Sequence, residues 1–408
     1  MPDAHVVAQH RGRDPMSHEE LALLLIPAAA VAAAVIAAAI GRVARIPLVV
    51  FEIVLGLLLG PSLLGWVEPT VVTETLAELG LAMLFFMAGN EIDFSAIRGR
   101  PLRRAGLGWL VSLVAGVAAG ALIAPDLSAG AIIGIALGST ALGTILPIVR
   151  DTGELHQPFG RAITAVGAAG EFGPLLAISI FLSGRRPGAA TIVLLVFVAI
   201  AAAAVWWASR GPHASLHGLV AATLHTSGQF AIRLVLLLLA VLVTLSMVLG
   251  LDMLLGAFVA GMQWRLLVAE APEHDRELVE SKIEALGYGF LVPVFFISTG
   301  VTFELRALLD DPSALALVPV FVVLLLLVRG LPGILAAPVG SSAADRRAIA
   351  LFCATGLPII VAVTSIGVDA GLLAETTAAA LVGAGMVSVL LFPLLALAQR
   401  PVSPARVP

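Results

Sequence analysis

The sequence predicts an all-α polytopic membrane protein of about 13 transmembrane helices, with inverted repeats of five helices and two crossed discontinuous helices. Three observations lead to that fold class. The composition is 60% apolar and only 12% charged, and mean hydropathy is +1.06, values that suit lipid as the solvent and exclude a soluble domain. The basic residues alternate in density from loop to loop, and distant segments repeat one another at an odd offset. A net charge of -4 over 408 residues argues neither for nor against nucleic acid, and no nucleic-acid partner is expected. The single cysteine, Cys353, excludes an intrachain disulfide and reads as a small core residue.

Residues 1–20 form a polar tail of mixed charge, and the apolar run 21–40 behind it has the ~20 residues needed to cross a bilayer. No cleaved signal peptide is expected. Further spans follow at 47–65, 72–90, 103–124, 129–150, 161–183, 190–208, 230–250, 252–268, 284–303, 314–337, 345–369 and 373–398, and a short tail at 399–408. With the N-terminus outside, the outer segments hold five basic residues: Arg11, Arg13, Arg185, Arg186 and Arg306. The inner segments hold sixteen, among them the cluster Arg98, Arg100, Arg103 and Arg104, and the pair Arg346 and Arg347. Cytoplasmic loops carry the excess of Lys and Arg, so the count and the orientation, N-out and C-in, support each other.

Span three reads LGLAMLFFMAGNEIDF and span ten YGFLVPVFFISTGVTFEL. Both have a Phe-Phe pair, a glycine soon after it, and an acid four residues beyond, Gly89 to Asp93 and Gly300 to Glu304. Spans two and nine are both glycine-rich. Seven spans separate the copies, and an odd offset turns the second copy upside down, as in secondary transporters with inverted repeats. Spans five and twelve are then equivalent, and both carry helix breakers among hydroxyls. Span five has Gly138, Ser139, Thr140, Gly143, Thr144 and Pro147; span twelve has Thr355, Gly356 and Pro358. Each is either a broken helix lining a cavity or a plain proline kink.

Glu171 is the only acid in the apolar stretch 162–182 of span six. A carboxylate at mid-bilayer costs several kcal/mol unless something binds or shields it, which points to ion or proton traffic. The alternative is a neutral Glu satisfied by a neighbouring helix. Half-helix ends with free carbonyls and the hydroxyls of Ser139, Thr140 and Thr355 are hard oxygen ligands suited to a small cation beside it.

These residues carry a family resemblance. The runs FEIVLGLLLGPSLLG, LAELGLAMLFFMAGNEID, GSTALGTILPIVRDTGE, LLGAFVAGM, YGFLVPVFFISTG and ATGLPIIVAVTSIG resemble segments of bacterial monovalent cation:proton antiporters, in the branch with the glutathione-gated potassium efflux systems. The resemblance covers residues 21–398 and implies a homodimer in the cell membrane, with a dimerisation scaffold at about 21–90 and 230–303 and a mobile core at about 103–183 and 314–398. It implies that spans five and twelve cross beside the carboxylate of span six. Family members usually carry an Asp-Asp, Asn-Asp or Gln-Asp pair on span six, where this chain has Gly170 and Glu171. Many also carry a nucleotide-binding regulatory domain after the last helix, and none is expected here.

Arg329 on span eleven falls where the resemblance places a basic core residue, either compensating half-helix dipoles or pairing with an acid; a snorkelling arginine is the alternative. Glu52 reads either as an acid of the inner vestibule or as an interfacial one. His213, His217 and His225 read as a solvated linker before they read as a metal or pH-sensing site, and residues 270–287 read as an acidic connecting helix. No cofactor, and no metal beyond a transported monovalent cation, is expected. An enzyme is excluded for want of a phosphate-binding glycine loop, a metal-ligand cluster or a nucleophile with its base. The expected function is electroneutral exchange of Na+ or K+ for a proton, the two competing at Glu171. A sodium-coupled organic solute symporter and a non-transporting sensor on the same scaffold are the rival readings.

Overall fold

Apolar segments in lipid must satisfy their own backbone groups, and a helix is how a single segment does so. The computed structural model describes residues 18–40, 46–92, 97, 99–155, 157–182, 186–209, 229–268 and 272–400, and its regular structure there is entirely helical. In chain order the helices are α1 (His18–Ile40), α2 (Leu48–Leu59), α3 (Val71–Glu91), α4 (Arg100–Ile123), α5 (Leu127–Leu137), α6 (Leu142–Asp151) and α7 (Pro158–Phe181). Then follow α8 (Pro187–Ser209), α9 (Phe230–Val248), α10 (Met253–Leu267), α11 (Glu273–Leu286), α12 (Val292–Val301), α13 (Leu305–Asp310), α14 (Pro312–Leu324), α15 (Ala343–Cys353), α16 (Pro358–Asp369) and α17 (Glu375–Gln399). His213, His217, His225 and Asp93 lie outside the described residues.

Among the described residues, 11 helical stretches are long and apolar enough to cross a bilayer, and two shorter apolar helices, α2 and α10, join them. Every segment expected to span coincides with one of these. The difference is length: α2 and α10 have 12 and 15 residues, well short of the ~20 that cross unaided. Their ends explain it. α2 stops at Gly60, extended at φ -72° and ψ 174°, just before Pro61. α10 starts only after Gly250 at φ +68° and an Asp252 N-cap whose carboxylate accepts from Leu254 N–H at 2.8 Å.

The sequence repeat reappears as two equivalent helix contacts. α2 packs on α12, where a Cβ on Gly56 would strike the carbonyl of Ile297 and one on Gly300 that of Ile53. α10 packs on α3, where a Cβ on Gly89 would strike the carbonyl of Phe258 and one on Gly261 that of Phe86. Each copy of the glycine-rich helix thus lies against the other copy's Phe-Phe helix, with glycine from both sides letting the backbones touch.

α7 is buried along most of its length, while Val31, Val114, Leu122, Leu195 and Leu237 on α1, α4, α8 and α9 are exposed apolar residues, as lipid-facing positions require. Arg400, just past α17, pairs with Glu154 after α6 and with Asp345 at the start of α15 (2.6 Å), and lies 3.7 Å from the ring centre of Phe159 on α7. One guanidinium therefore ties together one end of four helices around the buried centre.

Gly261→Val should destabilise the protein by about 1–3 kcal/mol, because the obstacle is backbone that cannot rotate aside. Gly106→Ala is the matched control, with nothing within 4 Å of the new Cβ. Thermal unfolding in detergent, followed by tryptophan fluorescence, should show a lowered midpoint for the first and an unchanged or raised one for the second.

Candidate functional site

Two interruptions meet at the centre of the molecule. Between α5 and α6 the chain leaves helical geometry over Gly138–Ala141, and between α15 and α16 over Ala354–Leu357. The plain proline kink is thereby replaced by a true break in both. Pro358 opens α16 at its first turn, where its missing N–H costs nothing; Pro147 sits inside α6 and not at the break. The two loops bond each other: Ala141 N–H donates to Thr355 O at 2.8 Å, and Thr140 Oγ1 donates to Cys353 O at 2.7 Å. These loops are fully buried, with Ser139, Thr140 and Thr355 all among the buried polar residues.

α7 supplies the partners the first loop lacks. Pro174 has no N–H to give the carbonyl of Gly170 four residues earlier. That carbonyl accepts instead from Thr140 N–H at 3.0 Å. The next residue, Glu171, is 5% exposed and accepts from Leu142 N–H at 2.8 Å through Oε1. Its Oε2 is buried and has no hydrogen-bond partner among the described residues. The carboxylate thus sits on the N-terminal end of α6, where the helix dipole favours negative charge, with one oxygen held and one open.

The second break has its own counterpart on α17. Ser388 Oγ accepts from Gly356 N–H at 3.1 Å and donates to Gly385 O at 2.7 Å. Ser388 escapes a reading of the sequence because a serine in an apolar helix is common; only the repeat, which makes α17 the partner of α7, marks it.

A model of the transmembrane sodium/hydrogen exchanger matches residues 30–397. The chain belongs to the sodium/hydrogen exchanger family. It is 27% identical over 307 residues to the putative Na(+)/H(+) antiporter YjbQ of Bacillus subtilis, covering 70% of this chain and 48% of that protein. It is 27% identical over 268 residues to the Na(+)/H(+)-K(+) antiporter GerN of Bacillus cereus, covering 63% and 66%. Alignment therefore spans about half of the first relative and two thirds of the second. The sodium proton antiporter MjNhaP1 from Methanocaldococcus jannaschii superposes with a TM-score of 0.66 at 15% identity, over 94% of this chain and 97% of that one, so the two share a fold.

Arg329 is fully buried, which removes the snorkelling alternative. It lies in a π turn, Leu325–Gly330, closed by Leu331 N–H donating to Leu326 O just before Pro332. Nε donates to Thr140 Oγ1 and Nη2 to Val166 O, both at 2.8 Å. Its partners are a hydroxyl and a carbonyl, not an acid, and through Thr140 the positive charge reaches the C-terminal carbonyl of Cys353 on α15. This arrangement also accounts for Gly170. A Cβ there would collide with Arg329 Nη2 and lie 2.5 Å from Thr140 Cβ and Oγ1, so the space a larger side chain needs is taken.

The hydroxyls differ in how far they are committed. Ser139 Oγ donates to Ala136 O at 2.7 Å and Thr355 Oγ1 to Leu351 O at 3.1 Å, each leaving acceptor lone pairs. Thr140 Oγ1 both donates and accepts. Glu52, 3% exposed, lines a cavity of about 400 Å³ together with Glu91, Thr144, Arg150, Glu284 and Tyr288. Gly143 and Thr144 form part of its wall, immediately after the N–H that holds Glu171. A second cavity, about 440 Å³, lies between α3, α12 and α16 and carries Glu74, Glu78, Ser298, Thr299, Ser365 and Asp369. Glu91 and Tyr288 were not singled out by the sequence, since an acid at a helix end and an aromatic in an apolar run are unremarkable there. Among the described residues no group of three or more His, Cys, Asp or Glu could hold a metal.

Thr140→Val should lower stability by about 1–3 kcal/mol, because it strands a charged N–H of Arg329 and the carbonyl of Cys353 in a dry interior. Thr140→Ser keeps the hydroxyl and should recover most of that loss. Equilibrium thermal unfolding of the two variants, read side by side, checks it.

Proposed function

We propose that the protein is a secondary active exchanger of a monovalent cation, Na+ or K+, for a proton, working by alternating access with both ligands competing for Glu171. The observation that carries this is the carboxylate itself, buried where two broken helices cross, with Oε1 fixed by Leu142 N–H and Oε2 unpartnered. A bare charge buried there is costly, whereas a protonated carboxyl or a carboxylate with a bound cation is neutral. A core loaded with either ligand can therefore cross the membrane field, and an empty one resists. That difference couples the two flows.

Ser139 and Thr355 supply hydroxyl lone pairs for the stripped cation, and Thr140 braces Arg329 beside it. α4 to α7 with α14 to α17 form the moving core. α1 to α3 with α9 to α12 form a scaffold through which two copies dimerise. Phe172 of α7 and Phe258 of α10, stacked with ring centres 5.5 Å apart, give core and scaffold an apolar contact without hydrogen bonds to break. The protein sits in the cell membrane with its N-terminus outside, and the cavity lined by Glu52 and Arg150 faces the cytoplasm. The antiporter names of YjbQ, GerN and MjNhaP1 support the reading, and that of GerN covers both cations.

Glu171→Gln should abolish proton movement driven by added NaCl or KCl in proteoliposomes containing a pH dye, while purified protein keeps its elution volume and thermal midpoint. Exchange that survives in this variant would refute the mechanism.

With Gly170 in place of an acid, one proton leaves as one cation enters, so the cycle moves no net charge. Clamping the liposome potential should leave the reversal point unchanged, whereas a second proton would shift it by ~2.3 kcal/mol per 100 mV. A shift would assign that proton to another carboxyl, and Glu91 is the one so placed.

A further inference from the structure

The cavity lined by Glu52 and Arg150 contains two polar atoms that the fold does not employ. Tyr288 Oη and Glu91 Oε2 are both buried and neither has a hydrogen-bond partner among the described residues. A buried hydroxyl left unsatisfied lowers stability, and a phenylalanine would fill the same space without that cost. The chain uses Phe at 17 positions and Tyr only here, so the hydroxyl has a use other than packing.

The backbone aims it. Tyr288 lies in a π turn, Gly287–Leu291, in which Val292 N–H reaches back five residues to Gly287 O. Pro293 follows and has no N–H for the carbonyl of Gly289, which makes the wider turn the economical one. Such one-turn widenings inside helices recur at functional sites because they rotate a side chain off the regular helical register. Across the cavity stands Gly143, where an added Cβ would come 3.9 Å from Tyr288 Oη and 3.7 Å from Leu84 Cδ1. Gly143 follows Leu142, whose N–H holds Glu171. The phenol oxygen therefore shares one cavity with Arg150 and Glu284, which approach to 4.0 Å, and with the first turn of α6, whose Leu142 N–H holds the carboxylate of α7.

We propose that Tyr288 is a cation-positioning residue: its hydroxyl oxygen replaces one water of the hydrated monovalent cation as the ion passes from the cavity to Glu171. A neutral oxygen suits this step, because it lowers the cost of stripping a water without holding the ion as a carboxylate would. The inference rests on the exchange reading given above.

The test is full-length protein in proteoliposomes with an entrapped pH dye, titrated separately with NaCl and KCl. Tyr288→Phe should raise the apparent KM for the cation roughly tenfold while the maximum rate stays within about twofold. Thermal midpoint and elution volume establish that the variant is folded. Gly143→Ala, whose methyl group would meet Tyr288 Oη only at ordinary contact distance, narrows the same passage and should raise KM with Tyr288 itself unchanged; it replaces the first variant if that fails to fold. An unchanged KM, or a fall in maximum rate alone, would overturn the role of Tyr288 and leave the exchange reading standing. Wild-type liposomes that move no protons with either salt would remove the exchange reading, and this inference with it.

Discussion

The structure depends on how backbone groups freed by two helix breaks are satisfied where no water reaches them. In lipid an unpaired N–H or carbonyl costs several kcal/mol, so a break persists only where other residues complete it. Here the completion is mutual. Thr140 N–H uses the carbonyl that Pro174 frees on α7, Ala141 N–H uses Thr355 O, and Leu142 N–H uses Glu171. The buried carboxylate, the proposed ion site, is thus also a structural acceptor. That dual role explains how an acid can be kept at this depth without a permanent ion pair.

Arg329 is the second constraint, and it excludes an alternative. A guanidinium wedged between Val166 O and Thr140 Oγ1 occupies the volume over Gly170. Where relatives are expected to place an acid or amide, this chain places a positive charge reached from another helix. One carboxyl group therefore stands here with a guanidinium packed over the residue before it, a simpler arrangement than a carboxylate pair, whose two charges would repel at short range.

Glycine and proline do complementary work around this centre. The paired glycines of α2 with α12 and α3 with α10 bring backbones into contact and make a dense scaffold. The prolines instead loosen helices at chosen points. Pro293 and Pro332 each follow a π turn, and the two turns carry Tyr288 and Arg329. A helix of uniform pitch would place neither side chain in this way.

Much of this was legible in the chain itself. Apolar runs bounded by basic loops define the segments, because transfer into lipid depends on composition and little else. An odd-offset repeat identifies α5–α6 and α15–α16 as equivalents, and a lone acid in an apolar stretch marks Glu171, because burying a charge is too costly to be accidental. Tertiary structure alone decided the lengths of α2 and α10, the position of the first break at Gly138–Ala141 and not at Pro147, and the partners of Arg329. It alone brought Glu91, Tyr288 and Ser388 into the account. The reason is physical: which backbone groups are left unsatisfied, and which side chain fills the space beside a glycine, are properties of helices packed against one another, and residues 29 and 213 positions apart in the chain settle them together.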